Sequence, residues 1–133
     1  MRQSIKAIFL LLIISTISCK KDEPLPSAEE LITGKWIIDS SEILATVVPG
    51  DGSYLTFEAC SSDCSGIDYK QSDTSTGTFT YTINEDATLL TITDGLSEGG
   101  SWSGEWDVLE LTDSDLRITT TTVLGSMKVE MTK

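Results

Sequence analysis

Alternation of apolar and polar residues is the feature that most restricts the fold of this chain. In several short segments every second residue is apolar, and in a strand such residues point to one face of the sheet. These residues are Leu55, Phe57 and Ala59; Ile67 and Tyr69; Phe79, Tyr81 and Ile83; and Met127, Val129 and Met131. Turn-forming clusters lie between these segments at 49–52, 84–86, 95–100 and 112–115, with Thr, Ile and Val frequent on either side. The pattern predicts an all-β fold.

The spacing of the segments predicts about eight antiparallel strands in an up-and-down meander. A chain of hairpins with one apolar face must curl into a barrel or fold into a sandwich to bury that face, and closing a barrel also removes the exposed edges. A short helical turn is expected before the first strand, because Ser27 and Glu30 have the spacing of a capping box. Gly34 is expected to end this helix, and Trp36 then lies on the first strand.

The N-terminus of the chain has the pattern of a signal peptide. Arg2 and Lys6 precede an apolar run over residues 7–17, and Cys19 stands where that run ends. A helix of this length covers only about half of the ~30 Å hydrocarbon core, so the run does not predict a membrane span. Residues 1–18 are therefore interpreted as a signal peptide that is removed from the mature protein.

Residues 16–19, Thr-Ile-Ser-Cys, resemble the lipobox of bacterial lipoproteins. The resemblance implies cleavage before Cys19 and a diacylglycerol on its sulfur; an ordinary secreted signal is the alternative. Residues 19–26 are polar and contain two prolines, which indicates a flexible tether before a domain over 27–133. Within this tether, Lys-Lys-Asp-Glu at 20–23 resembles the export signals of Bacteroidetes surface lipoproteins, with a solvated linker as the alternative. These resemblances imply a lipid anchor in the outer membrane, at the cell surface or on the periplasmic face.

The charge of the mature chain restricts its partners. Once residues 1–18 are removed, 115 residues remain, about one small domain, with 7 basic and 21 acidic residues and a net charge of −14. Nucleic acid is therefore not an expected partner, and anionic lipid headgroups repel such a surface. Membrane attachment is expected to depend on the acyl chains at Cys19. We expect a monomer without a cofactor.

Two further segments resemble the lipocalin-like domains of Bacteroidetes lipoproteins. The first, Leu-Ile-Thr-Gly-Lys-Trp at 31–36, is a helical turn followed by Gly-x-Trp. The second is Gly-Glu-Trp-Asp-Val-Leu-Glu-Leu-Thr at 104–112 with Asp-Leu-Arg-Ile at 115–118, which is similar to a late hairpin of those domains. The resemblance covers roughly residues 31–133 and implies a lipocalin-like barrel in which Trp36 packs across the closed end. Lipocalins proper are longer, so a smaller cavity is expected here.

Cys60 and Cys64 are the remaining cysteines. On a straight strand, residues four apart are separated by about 13 Å, beyond the ~7 Å limit for a disulfide. A bridge therefore requires a turn, and Ser-Ser-Asp at 61–63 has turn chemistry. The spacing predicts a hairpin with arms 54–60 and 64–70, clasped at its tip by a disulfide. Free thiols and a metal site are the alternatives, although two cysteines without any histidine argue against zinc.

The absence of histidine also argues against enzymatic activity. No Ser-His-Asp or Cys-His arrangement is available. Glu105 and Asp107 share one face of an expected strand, as the two carboxylates of a glycosidase do, but 21 acidic residues supply many such pairs by chance. The acidic segment 63–73 lacks the ligand spacing of a dedicated calcium loop. We therefore predict no catalytic and no metal-binding residues.

Aromatic residues are the candidates for ligand binding. An eight-stranded barrel is wide enough to be filled by its own side chains or to hold one small ligand, and a mostly filled interior is favoured. Trp102 and Trp106, four apart on an expected strand, should share a face. Any cavity for a small apolar or amphipathic ligand is expected to be lined by Phe57, Tyr69, Phe79, Tyr81 and Trp106. The alternative function is a cell-surface interaction or adhesion module that recognises a protein or glycan through its loops.

Overall fold

The computed structural model describes residues 23–60, 64–94 and 102–133. The predicted signal peptide, Cys19 and the start of the tether lie outside the described residues, as do the expected turns at 61–63 and 95–100. The remaining tether, residues 23–26, is exposed and has no regular secondary structure. Leu25 within it is 92 % exposed, so the tether makes little contact with the folded domain.

A short helix, α1 (Ala28–Ile32), precedes the sheet. It begins with the predicted capping box, because Ser27 Oγ accepts the Glu30 N–H at 3.2 Å and the Glu30 carboxylate accepts the Ser27 N–H at 2.7 Å. Its buried residues, Ala28 and Ile32, face the barrel. Across the described ranges, no helix has both the length and the apolar character that a membrane crossing requires.

Nine antiparallel strands are described. They are β1 (Gly34–Ile43), β2 (Thr46–Pro49), β3 (Tyr54–Phe57), β4 (Ser65–Lys70), β5 (Ser75–Ile83), β6 (Leu89–Asp94), β7 (Gly104–Leu111), β8 (Asp115–Thr122) and β9 (Gly125–Thr132). Eight of them close into a ring, because β1 pairs with both β3 and β9. The extra strand, β2, lies on the same edge of β1 as β3, but farther along β1. The predicted antiparallel barrel of about eight strands, preceded by a helical turn, is confirmed.

The barrel has two different ends. We call the end at α1 the closed end and the opposite end the open end. At the closed end, Trp36 Nε1 donates to the Ile32 carbonyl at 2.6 Å, and Lys133 Nζ donates to the Leu31 carbonyl at 2.8 Å. Trp36 is fully buried, so it packs across the closed end as expected. β1 runs from α1 to the opposite end, and the β1–β2 and β8–β9 hairpin turns therefore lie side by side at the open end.

The interior is filled over most of its length. The apolar side chains that fill it are each at most 3 % exposed; they are Ile32, Trp36, Leu55, Phe57, Phe79, Tyr81, Leu90, Ile92, Trp106, Leu116, Ile118, Val129 and Met131. The period-two segments of β5 and β9 face inward as predicted. In β4 the inward position opposite Phe57 and Phe79 is Gly66, which leaves room for the Phe79 ring. Close packing of this kind leaves little empty volume near the closed end.

The disulfide-clasped hairpin is formed by β3 and β4. Cys60 and Cys64 are bonded to each other, with their Cα atoms 4.5 Å apart, so the predicted disulfide is confirmed. The strand arms are shorter than predicted, since regular pairing ends at Phe57 and Gly66. Beyond that pair, the Glu58 N–H donates to the Ser65 carbonyl at 2.9 Å. The bridge therefore holds together a short extension of the hairpin at the closed end.

Candidate functional site

Three of the aromatic residues predicted to bind a ligand form a cluster inside the barrel. Phe57 lies edge-on to Phe79 and to Tyr81, with ring centroids 5.3 and 4.9 Å apart. The Tyr81 hydroxyl donates to the Glu58 carbonyl at 2.7 Å, so its polar atom is paired. All three rings contact one another and are almost completely buried, which makes them part of the core.

Tyr69 lies on the outer face of the barrel and does not share the interior with the other predicted residues. The register explains this position, because Gly66 faces inward opposite Phe57 and residues an odd number of positions away face outward. The Tyr69 ring stacks on Tyr54 with centroids 4.8 Å apart, and Lys35 Nζ lies 3.7 Å from the Tyr54 ring centroid. The expectation that Tyr69 lines an internal cavity is therefore corrected.

Trp106 and Trp102 are in contact, but only Trp106 lies on a strand. Trp106 belongs to β7 and is 1 % exposed, whereas Trp102 precedes that strand, which corrects the expectation of a shared strand face. The Trp106 Nε1–H donates to the Trp102 carbonyl at 2.9 Å, and the two ring centroids are 5.5 Å apart. This contact holds Trp102 over the open end of the barrel, where it is half-buried.

A cavity of about 250 Å³ lies at the open end, and we call it the mouth cavity. Its apolar lining comes from β1, β2, β9 and the segment before β7, namely Ile38, Val48, Met127, Val129 and Trp102. Pockets for drug-sized ligands usually measure about 300–1,000 Å³. The mouth cavity therefore suits a small ligand, or the apolar end of a larger one.

Polar residues also line the mouth cavity. They are Ser41, Asp51 and Ser53. Hydrogen bonds from the Ser53 side chain and N–H lower the pKa of Asp51, and this carboxylate is therefore ionised at neutral pH. Ser53 Oγ also accepts the Gln71 N–H at 3.0 Å. The site thus combines an apolar wall with a negative charge at its rim.

Ser41 lines this cavity because of an irregularity that period-two reasoning did not anticipate. The register between β1 and β9 shifts between Ile38 and Ser40, so Ser41 pairs with the inward-facing Val129. A bulge of this kind reverses the faces of all residues beyond it. Val48 was missed for another reason, since no turn-forming residue marks the hairpin that creates β2.

A second cavity, about 480 Å³ in volume, lies along the seam between β7 and β8. Pairing of the two strands stops at Asp107 and Thr119, and beyond that point the Thr120 hydroxyl donates to the Glu105 carbonyl at 2.8 Å. Glu105 and Asp107 border this cleft from the exposed face of β7. The cleft offers mainly carboxylate and hydroxyl oxygens, so it does not suit an apolar ligand.

Glu29 lies close to the disulfide at the closed end. A carboxylate oxygen of Glu29 and the two sulfurs of Cys60 and Cys64 are within 4.8 Å of one another. Metal coordination by cysteine requires thiolates, and these sulfurs are bonded to each other. While the disulfide is intact, this group does not provide a metal-binding donor set.

Residues 32–118 match the model of a protein family described as a lipocalin-like domain. The matched segment begins at the end of α1 and extends into β8, and it covers more than half of the chain. Comparisons with curated proteins and with solved structures gave no significant match.

Proposed function

The chain belongs to the lipocalin-like domain family, and on this basis we propose that it is a non-enzymatic binding protein whose mouth cavity holds a small ligand. The apolar cavity of about 250 Å³ at the open end carries the proposal. Below this cavity the barrel is filled by its own side chains, so a ligand is expected at the mouth and not at the centre of the barrel.

The lining of the mouth cavity defines the chemical class of the ligand. Ile38, Met127 and Trp102 present carbon atoms, which favour an apolar body. Ser41 and Asp51 present a hydroxyl and a carboxylate, which favour a hydroxyl or amine group at one end of that body. We therefore propose a small amphipathic ligand, neutral or cationic, that places its apolar part between β1, β9 and Trp102.

Titration of the mature chain with Nile red, a neutral apolar dye, tests the proposal. The wild-type chain should bind the dye at one site with micromolar affinity, equivalent to about −8 kcal/mol. Ser41→Phe fills the cavity and should weaken binding at least about tenfold. Ser40→Phe is the matched control, because Ser40 is the neighbouring residue on the opposite face of β1, where it pairs with Glu130. Absence of dye binding by the native chain, or equal effects of the two substitutions, would contradict the proposal.

Two core substitutions separate ligand binding from stability. Trp106→Ala and Tyr81→Ala should lower the free energy of unfolding by about 3–5 kcal/mol, because each ring fills a packed site. Trp102→Ala removes a half-buried ring over the mouth, so it should reduce dye affinity more than it reduces stability. Dye affinity that follows stability across all three variants would argue against a separate binding site at the mouth.

We also propose that the mature chain is a lipoprotein, anchored in the outer membrane through Cys19. The lipobox-like residues 16–19 and the lysine-rich start of the tether support this proposal. The exposed tether joins the barrel at α1, so the anchor would attach at the closed end and leave the mouth cavity unobstructed. Cys19→Ala should abolish labelling by a fatty-acid analogue and release the protein from the membrane fraction, whereas Cys60→Ser should keep the label. Attachment that persists in Cys19→Ala without label would rule out the lipid anchor.

The acidic residues after Cys19 are proposed to direct the anchored protein to the outer leaflet. Replacing Asp22 and Glu23 with alanine should decrease degradation by protease added to intact cells, with no change in total protein. Unchanged degradation would mean that these charges act only as a solvated linker.

A further inference from the structure

Two neighbouring hairpin turns at the open end expose apolar side chains, and we call these side chains the tip patch. It consists of Ile43, Leu44, Val47, Val48, Val123 and Leu124, which are between 44 % and 103 % exposed. The turns adjoin each other because Ile43 pairs with Met127 across β1 and β9, and the Leu44 side chain lies against Gly125. Exposed apolar groups scattered singly are ordinary, but a contiguous set is typical of an interaction surface.

The backbone of the first turn is strained, and Leu44 at its tip remains largely exposed although it contacts Gly125. Leu44 and Ala45 have φ values of 51° and 62°, a left-handed conformation that asparagine or glycine adopts at lower cost. Leu44 nevertheless leaves 61 % of its surface in water. Strained positions that burial does not compensate are frequent at binding sites. The exposed leucine therefore indicates a binding function, because it contributes little to the stability of the fold.

β2 offers backbone groups beside the tip patch. Among the described residues it pairs with β1 alone. Ile43 and Thr46 close a two-residue turn as a hydrogen-bonded pair. Hydrogen-bonded and non-hydrogen-bonded pairs alternate, so the N–H and C=O groups of the next pair, Glu42 and Val47, point away from the partner strand. Pro49 has no N–H, which limits strand pairing to a short stretch around Val47. This edge can accept a few extended residues of another chain.

The charges around the tip patch are mainly negative. Lys128 Nζ contacts carboxylates of both Glu42 and Glu130 at 3.3 Å, which leaves this group with a net negative charge. Asp51, two positions after β2, is ionised at neutral pH. The full chain has a net charge of −12, so a second copy of it and an anionic lipid surface are both disfavoured. The complementary partner is apolar and basic.

We propose that the tip patch and the free edge of β2 bind an extended segment of a partner protein in which apolar and basic residues alternate. In such a strand, one face places apolar side chains beside Val48. The other face lies beside Val47, and long basic side chains there can extend over Val47 toward Glu42 on β1. Main-chain hydrogen bonds with Val47 hold the segment at the edge of β2. The docking edge shares Val48 with the mouth cavity, but binding of the segment does not require a ligand in that cavity.

Fluorescence anisotropy of a labelled peptide of four Val-Lys repeats tests the proposal, with a Val-Glu peptide as the charge control. The mature chain should bind the Val-Lys peptide at least about tenfold more tightly than the Val-Glu peptide. Leu44→Asn should weaken binding while the melting temperature stays equal or rises, because asparagine tolerates the left-handed turn better than leucine. Val47→Pro should also weaken binding, since it removes the outward N–H. Leu109→Ser is the matched control, because Leu109 is 53 % exposed on β7 and lies outside the tip patch.

Four results would overturn the proposal. The first is failure of the Val-Lys peptide to bind at millimolar concentration. The second is binding that Leu44→Asn and Val47→Pro leave unchanged. The third is a dimer, detected by analytical ultracentrifugation, that Val47→Pro dissociates, which would assign the edge to a second copy of the chain. The fourth is binding to neutral phosphatidylcholine vesicles that Leu44→Asn abolishes, which would assign the patch to lipid.

Discussion

Adding one methyl group at Gly66 tests how tightly the barrel is packed. A Cβ at this position would overlap the Phe79 ring and would lie 2.5 Å from the Thr56 carbonyl oxygen. Overpacking of a core usually costs about 1–3 kcal/mol, and here one obstacle is a backbone atom in a paired strand that cannot rotate away. We expect Gly66→Ala to lower the free energy of unfolding by about 3 kcal/mol. For a domain of about 110 residues this corresponds to a fall of about 12 °C in Tm.

Urea unfolding followed by tryptophan fluorescence measures this effect, with calorimetry for Tm. Phe79→Leu removes part of the obstructing ring, so the double variant Gly66→Ala/Phe79→Leu should be more stable than the sum of the single effects by at least about 1 kcal/mol. Thr78→Ala, on the exposed face of β5, is the control and should change stability by less than about 0.5 kcal/mol. A Gly66→Ala variant as stable as wild type, or a double variant without coupling, would refute the reasoning.

Three further substitutions probe the closed end. Replacing Cys60 and Cys64 with serine should lower the free energy of unfolding by about 2 kcal/mol, because the two cysteines are only four positions apart and their bridge restricts a short loop. Denaturant titration measures the loss, and finding free thiols in the unmodified chain would contradict the bridge. Trp36→Phe should cost about 1–3 kcal/mol, since the buried Ile32 carbonyl loses its indole donor; unchanged stability would mean that this hydrogen bond is dispensable. Burial raises the pKa of Tyr81 above its usual 10.0, so the unfolded chain releases this proton first. This contribution to stability is complete below pH 10 and is lost as the pH rises further, so Tyr81→Phe should reduce the alkaline fall in Tm.

Local patterns in the sequence predicted the elements whose structure depends on residues close together in the chain. The capping box at Ser27 and Glu30 gave the start of α1 because its two hydrogen bonds join residues three apart. The β5 residues Phe79 and Tyr81 face inward as their alternation predicts. The Cys60–Cys64 hairpin could also be derived, because the reach of a disulfide allows only a turn between cysteines so close in sequence.

The sequence by itself therefore determined the all-β class, the inward faces of β5 and β9, the disulfide and the charge of the chain, all of which depend on neighbouring residues. The tertiary structure decided where a ligand or partner can bind. Closure of β1 against β9 joins Ile43 to Met127, far apart in the chain, and the shift after Ile38 turns Ser41 inward. Closure also brings two turns together whose central residues, Leu44 and Ala45 in one and Val123 and Leu124 in the other, are apolar. Such contacts depend on how distant strands pair around the ring, and no local pattern in the chain records that pairing.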